Sequence, residues 1–238
     1  MISIRNISKA YGTLRVLDDV SLDIADAEVL AIVGPSGAGK TTLLQIMGTI
    51  EKPDSGEVAY GSTLATSLSG ARLARFRNAN IGFVFQYHRL LPEFSLLENI
   101  MMPALIGGST RKAAEAHARE LADTLGLAKR LSHRPAELSG GECQRAAVAR
   151  ALINNPMVVL ADEPSGSLDS RNRRELHTLF FDLRRSLGQT FVIVTHDEAL
   201  AADCDRIVHL RDGRIEGVTD NAPSLPADSP LLPAQLSL

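Results

Sequence analysis

Gly34-Pro35-Ser36-Gly37-Ala38-Gly39-Lys40-Thr41-Thr42 meets the phosphate-loop pattern G-x-x-x-x-G-K-[ST] at every required position. The flanks agree with it. Val29-Leu30-Ala31-Ile32-Val33 is a continuous apolar run of the kind a parallel strand buried on both faces shows. Beyond the loop, Leu43, Leu44, Ile46, Met47 and Ile50 recur at helical spacing. Strand, glycine loop and helix together put a row of backbone N–H groups at a helix N-terminus, where hydrogen bonds and the helix dipole both stabilise an anion. Lys40 is placed to reach the β- and γ-phosphates, and the Thr41 hydroxyl to ligate Mg2+. The stretch implies an α/β fold and a nucleotide site.

Composition narrows the rest. A chain of 238 residues, 45% of them hydrophobic, has the length of one large domain or of one domain carrying an inserted lobe. No apolar run reaches the ~18 residues of a membrane span, and the N-terminus lacks a signal-peptide pattern, so a cytoplasmic chain is expected. A net charge of -3 supplies no electrostatic footprint for nucleic acid. Cys143 and Cys204 give no disulfide framework and no zinc spacing.

Alternation over residues 1–24, which aligns Ile2 with Ile4 and Val20 with Leu22 and Ile24, predicts two strands with one buried face around Tyr11-Gly12. Gly56–Tyr60 predicts another. From Ser69 the character changes. Ala71–Phe76 and Arg111–Leu125 read as helices, with Ile81–Gln86 between them as a strand ending in a polar residue. The following segment, with Pro92, Pro103, Gly107 and Gly108, carries an apolar patch at Leu90, Leu91, Phe94, Leu96 and Leu97 that suits either core or a docking surface. These features predict a mostly helical lobe inserted at about residues 87–155. Ser139-Gly140-Gly141-Glu142 has the form of a capping box and opens a helix ending near Asn154. Met157–Ala161 and Phe191–Val194 are further buried strands, separated by a helix over Ser170–Leu187. Asp212-Gly213 reads as a hairpin turn between Ile207–Leu210 and Arg214–Ile215, and residues 218–238 as a flexible tail.

Ligands of an open parallel sheet bind beyond the carboxyl ends of its strands. Three apolar strands here end in polar groups: the phosphate loop, Asp162-Glu163, and His196. A carboxylate after a buried strand suits Mg2+ held beside ATP, so Asp162 joins Thr41 as a metal ligand. Glu163 suits a general base for the attacking water, and His196 a contact that holds base and water in register. Tyr11 offers a ring that stacks on adenine or simply ends a turn.

Leu138-Ser139-Gly140-Gly141-Glu142-Cys143-Gln144-Arg145, beside the phosphate loop and Asp162-Glu163, resembles the signature of the ATP-binding cassette (ABC) ATPases. The resemblance covers about residues 1–217. It implies a P-loop ABC ATPase fold: a mostly parallel core sheet, an N-terminal antiparallel β subdomain and an inserted helical subdomain. It also implies Tyr11 as the adenine-stacking residue, Gln86 as the Q-loop glutamine near metal and water, Ser167-Leu168-Asp169 as the D-loop and His196 as the switch histidine. In that family the nucleotide lies between two copies arranged head to tail, so Ser139, Gly140, Gly141 and Glu142 of one copy are implied to meet the ATP of the other. Gln86–Phe94, Leu97–Ile100 and Met102–Gly107 look like the ATPase subunits of lipoprotein-releasing (LolD-type) transporters, with macrolide-exporter (MacB-type) and cell-division (FtsE-type) ATPases close by. The implied partners are a second copy and integral membrane permease subunits, with no nucleic acid. The implied place is the cytoplasmic face of the inner membrane. Cys143 departs from the usual signature; the first turn of a helix tends to lower a thiol's pKa, although a tolerated small side chain weighs more. Ser165 and Ser167 also depart, and both are small enough to preserve the turn.

Overall fold

The structure is a computed structural model that describes residues 1–221. The chain begins β1 (Ile2–Tyr11), β2 (Leu14–Ile24), β3 (Val29–Val33), α1 (Lys40–Met47), β4 (Ser55–Tyr60) and β5 (Thr63–Leu64). It continues α2 (Gly70–Asn80), β6 (Ile81–Phe85), α3 (Leu96–Ile106), α4 (Arg111–Thr124) and α5 (Gly140–Leu152). It closes with β7 (Val158–Asp162), α6 (Ser170–Leu187), β8 (Phe191–Val194), α7 (Glu198–Asp203), β9 (Arg206–Arg211) and β10 (Arg214–Asp220).

Two sheets form. The antiparallel one has the order β2-β1-β4-β5, and the larger one β10-β9-β3-β8-β7-β6, parallel except for the β9–β10 hairpin. Alternation inside the apolar runs decides what each face of the larger sheet meets. Val29, Ala31, Val159, Ala161, Phe191 and Ile193 pack with α5, α6 and the helices beyond. Leu30, Ile32, Val158, Leu160, Val192 and Val194 pack with α1 and the antiparallel sheet. The larger sheet is therefore sandwiched, which is why its strands read as unbroken hydrophobic runs. The antiparallel sheet buries one face only. Ile2 pairs with Ile24 and Ile4 with Leu22, and all four are buried while their neighbours face water.

Between β6 and β7, α3, α4 and α5 pack on one another. The apolar patch divides between its two readings. Leu90 and Leu96 are core, whereas Leu91 and Phe94 are exposed. The fully buried Asn99 pins this loop, accepting from Leu91 N–H at 2.7 Å and donating to the carbonyls of Leu91, Phe94 and Ser95.

Several boundaries differ from expectation. The helix expected over Ala71–Phe76 runs from Gly70 to Asn80. Within the expected helical lobe, the segment marked by Pro92, Pro103, Gly107 and Gly108 holds a whole helix, α3, because a Ser95–Glu98 capping box starts it and Leu96, Ile100, Met101 and Ala104 bury one side. β10 continues to Asp220, past residue 218 where a tail was expected, because it pairs along β9 from Arg214 to Asp220. Asn221 is tied down as well, its side-chain amide donating to the carbonyls of Ala201, Ala202 and Cys204. The rest of the expected tail, residues 222–238, lies outside the described residues. Among the described residues no helix is long and apolar enough to cross a membrane.

Candidate active site

Four loops meet at the carboxyl ends of β3, β8, β7 and β6, which are consecutive in the larger sheet. The first is Gly34–Gly39. Gly39 stands at φ 98°, and a Cβ there would lie 2.6 Å from the Val16 carbonyl oxygen, so only glycine lets the loop rest on β2 at that point. α1 then starts with no side-chain cap and no acidic residue in its first turn. By contrast α3, α4, α5, α6 and α7 are capped by Ser95, Thr110, Ser139, Asp169 and Asp197. The N–H groups opening α1 are thus left to an anion, with Pro35, Ser36, Gly37, Ala38 and Thr42 framing the approach. Lys40 spans the mouth of the loop, its ammonium donating to the Gly34 and Pro35 carbonyls at 2.8 and 3.0 Å.

Thr41 and Asp162 come together across the loop, the hydroxyl donating to Asp162 Oδ1 at 3.2 Å. Burial lifts the Asp162 carboxyl above its ordinary range, with Thr41 opposing this and the charge of Glu163 adding to it. A carboxylate so placed gains from a cation. Threonine hydroxyl and aspartate oxygen are hard donors that fit Mg2+. Among the described residues no three His, Cys, Asp or Glu side chains gather as ligands, so nucleotide and water oxygens would have to complete such a shell.

Glu163 and His196 arrive from β7 and β8 and touch. Glu163 Oε2 lies 2.7 Å from His196 Nδ1 and accepts from the His196 N–H at 3.3 Å. Glu163 holds a left-handed backbone, φ 48°, fixed by its N–H donating to the Val194 carbonyl at 2.9 Å. Its side chain is 21% exposed while that of His196 is 72% exposed, so the carboxylate is sheltered and the imidazole faces solvent. Gln86 follows β6. A Cβ on Gly166 would sit 3.0 Å from Gln86 Nε2, which places this amide over the loop that follows Glu163. Ser167 Oγ donates to the Gln86 carbonyl at 3.0 Å, and Gln144 of α5 donates to the Phe85 carbonyl at 2.8 Å.

The remaining predicted residues lie apart from this group. Ser139 caps α5, its Oγ accepting from Glu142 N–H at 3.2 Å while Glu142 Oε2 accepts from Ser139 N–H at 2.8 Å. Glu142 is committed to that cap and to Arg130 Nε at 2.7 Å; the Ser139 N–H, and then Arg130, pull its carboxyl down to about 2. Gly140 is exposed at the helix start, and Gly141 is buried against α6, where a Cβ would meet Asn172 Oδ1 at 2.1 Å. Tyr11, at the end of β1, is half exposed, with Lys9 Nζ 5.2 Å from its ring centre.

The lowering that a first helical turn would give the Cys143 thiol is outweighed. Cys143 is buried, its Sγ 3.5 Å from the Pro135 carbonyl, and burial together with the Glu142 charge pushes the thiol up rather than down. Sequence reasoning also missed residues. Arg150 of α5 donates to the carbonyls of His88 and Arg89 at 2.7 Å each, clasping the chain just beyond Gln86. No local spacing signals that contact, because the partners are 61 and 62 residues apart.

Residues 17–166 match the family model described as ABC transporter. The lipoprotein-releasing system ATP-binding protein LolD of Bacteroides thetaiotaomicron is 59% identical over 216 residues, covering 91% of this chain and 99% of that protein. Its counterpart in Porphyromonas gingivalis is 58% identical over 213 residues, covering 90% and 97%. Among solved structures, the ATP-binding cassette MJ0796, as a dimer in a post-hydrolysis state bound to ADP and Pi, matches with a TM-score of 0.84 at 36% identity, covering 92% and 98%. With the family model over most of the chain and relatives aligned almost end to end, this chain belongs to the ABC transporter family as one of its ATP-binding, ATP-hydrolysing subunits.

Proposed function

We propose that this chain is the ATPase that powers release of lipoproteins from the inner membrane towards the outer membrane, acting on a separate integral membrane partner. The observation that carries this reading is the 59% identity to a LolD protein over 91% of this chain and 99% of that one. In this reading the chain works at the cytoplasmic face of the membrane, residues 1–217 form the ATPase unit, and its helices at about 87–155 meet the partner.

The geometry supports the following catalytic roles. The N–H groups of the Gly34–Gly39 loop and Lys40 bind the phosphates, and Tyr11 lends its exposed ring to the adenine. Thr41, Asp162 and Gln86 would hold Mg2+, and the ion would neutralise charge on the phosphate oxygens. The attacking water donates its proton to Glu163, and His196 orients that carboxylate through the 2.7 Å contact. Ser139, Gly140 and Gly141 of a second copy, at the start of its α5, bring helix N–H groups to the γ-phosphate. The dimeric cassette MJ0796 supports that arrangement.

Glu163→Gln is expected to keep ATP binding and to accumulate a dimer in size-exclusion chromatography, with turnover down about 100-fold or more. Undiminished turnover would rule out the role given to Glu163. For the cargo, the gene is depleted in its own cell and the membranes are fractionated. Lipoproteins retained in the inner membrane support the proposal; normal sorting accompanied by a division defect or drug sensitivity would favour the cell-division or efflux role instead.

A further inference from the structure

Behind the Glu163–His196 pair lies a second polar cluster, built from α6. His177 is 8% exposed and Ser165 3%, and His177 Nε2 is 3.1 Å from Ser165 Oγ. The same ring nitrogen is 4.0 Å from Asp197 Oδ2. Arg173, one turn earlier on α6, reaches Asp197 Oδ2 at 3.6 Å and donates to the Leu168 carbonyl at 3.4 Å. Asp197 Oδ1 is occupied in capping α7 through Ala199 and Leu200 N–H. Ser165 lies in the loop that carries Glu163, and Asp197 follows His196 directly. A single face of α6 therefore grips both loops that supply the reactive pair.

We propose that His177 is a positioning residue: by bonding Ser165 and facing Asp197, it sets the loop bearing Glu163 against the loop bearing His196. This rests on the roles assigned above to Glu163 and His196. The reasons are physical. Glu163 sits on a left-handed backbone, and such a conformation persists only where its surroundings over-determine it. The loop after Glu163 has few other restraints: Gly166 and Leu168 N–H bond back within the loop, Ser167 bonds the Gln86 carbonyl, and Arg173 reaches the Leu168 carbonyl at 3.4 Å. The Ser165–His177 bond is the buried side-chain link from that loop to a long helix, and a hydrogen bond screened from water holds geometry better than an exposed one. A cleft of about 330 Å3, lined by Glu163, Gly166, Arg173, Thr195 and His196 among others, opens in front of the cluster, so slack in either loop displaces groups that face the reaction. Burial holds the His177 imidazole below its ordinary range, which keeps a neutral ring in this link.

The test is steady-state ATPase kinetics on the full chain. His177→Leu is expected to lower kcat about fivefold, the order expected when one neutral hydrogen bond that holds reacting geometry is lost, with KM for ATP unchanged. His177→Gln, whose amide can donate or accept near the Nε2 position, should restore most of that loss. Ser165→Ala should reproduce it, and the Ser165→Ala/His177→Leu double variant should lose no more than either single one. Unaltered kcat in His177→Leu, or additive losses in the double variant, would overturn the proposal. Should His177→Leu not fold, Ser165→Ala decides alone, an unchanged kcat counting against the link. Glu163→Gln is run in parallel. If it retains turnover, the roles of the pair are at fault; if it is inactive while His177→Leu is normal, only the positioning role fails.

Discussion

Glu163 combines the chemical role proposed for it with an awkward backbone. A left-handed conformation costs a residue bearing a Cβ about 1–2 kcal/mol, and glycine escapes nearly all of it. The cost is borne because the Glu163 N–H must meet Val194 and its carboxylate must meet His196 from the neighbouring strand. Glu163→Ala and Glu163→Gly both delete the carboxylate and its contact to His196, so they differ mainly in this strain. The glycine variant should melt about 2–4 °C above the alanine variant, as ~1 kcal/mol implies for a chain of this size. Calorimetry on the two proteins checks this; equal midpoints would show that the loop relaxes freely.

Between elements, a close fit joins the starts of α5 and α6. Gly141 admits Asn172, whose side chain donates to Asp169 Oδ2 at 2.7 Å while Asp169 caps α6. Gly141→Ala would force Asn172 off Asp169 and is expected to destabilise the fold by about 1–3 kcal/mol in urea melts. Adding Asn172→Ala should recover at least half of that loss, and no recovery would place the conflict elsewhere. This interlock leaves no trace in the sequence, although the α5 start was legible from its Ser139–Glu142 cap and α6 from its apolar face. The same contrast runs through the molecule. β3, β7 and β8 were readable because burial on both faces leaves an unmistakable apolar run, and Asp162, Glu163 and His196 were readable because they end such runs. α3 was not read as a helix because Pro103 masks a segment held by its cap and by Asn99. α7 has only six residues, too few for a period. The outer part of β10 alternates polar residues at a sheet edge and so resembled a tail. Contacts such as Arg150 to His88, or His177 to Ser165, depend on the packed fold and leave no local trace.

For the molecule as a whole, the strand order matters more than any one contact. The phosphate loop, His196, Asp162-Glu163 and Gln86 hang from β3, β8, β7 and β6, side by side, while Asn221 bonds Asp205 at the opposite edge, where Asp205 also meets the start of β3. With strands ~4.8 Å apart, the outermost two of these four are only about 14 Å from each other. A triphosphate seated on that rim is therefore felt as one event by the whole carboxyl edge. Deuterium uptake with a slowly hydrolysed ATP analogue at about 100 times its Kd should slow at Leu43, Glu163 and Thr195 together, by up to roughly 100-fold where opening expels the ligand. The Asn221 amide, opening on its own at the far edge, should keep its pace. Staggered protection among the three would mean that the rim is several independent hinges rather than a single clamp.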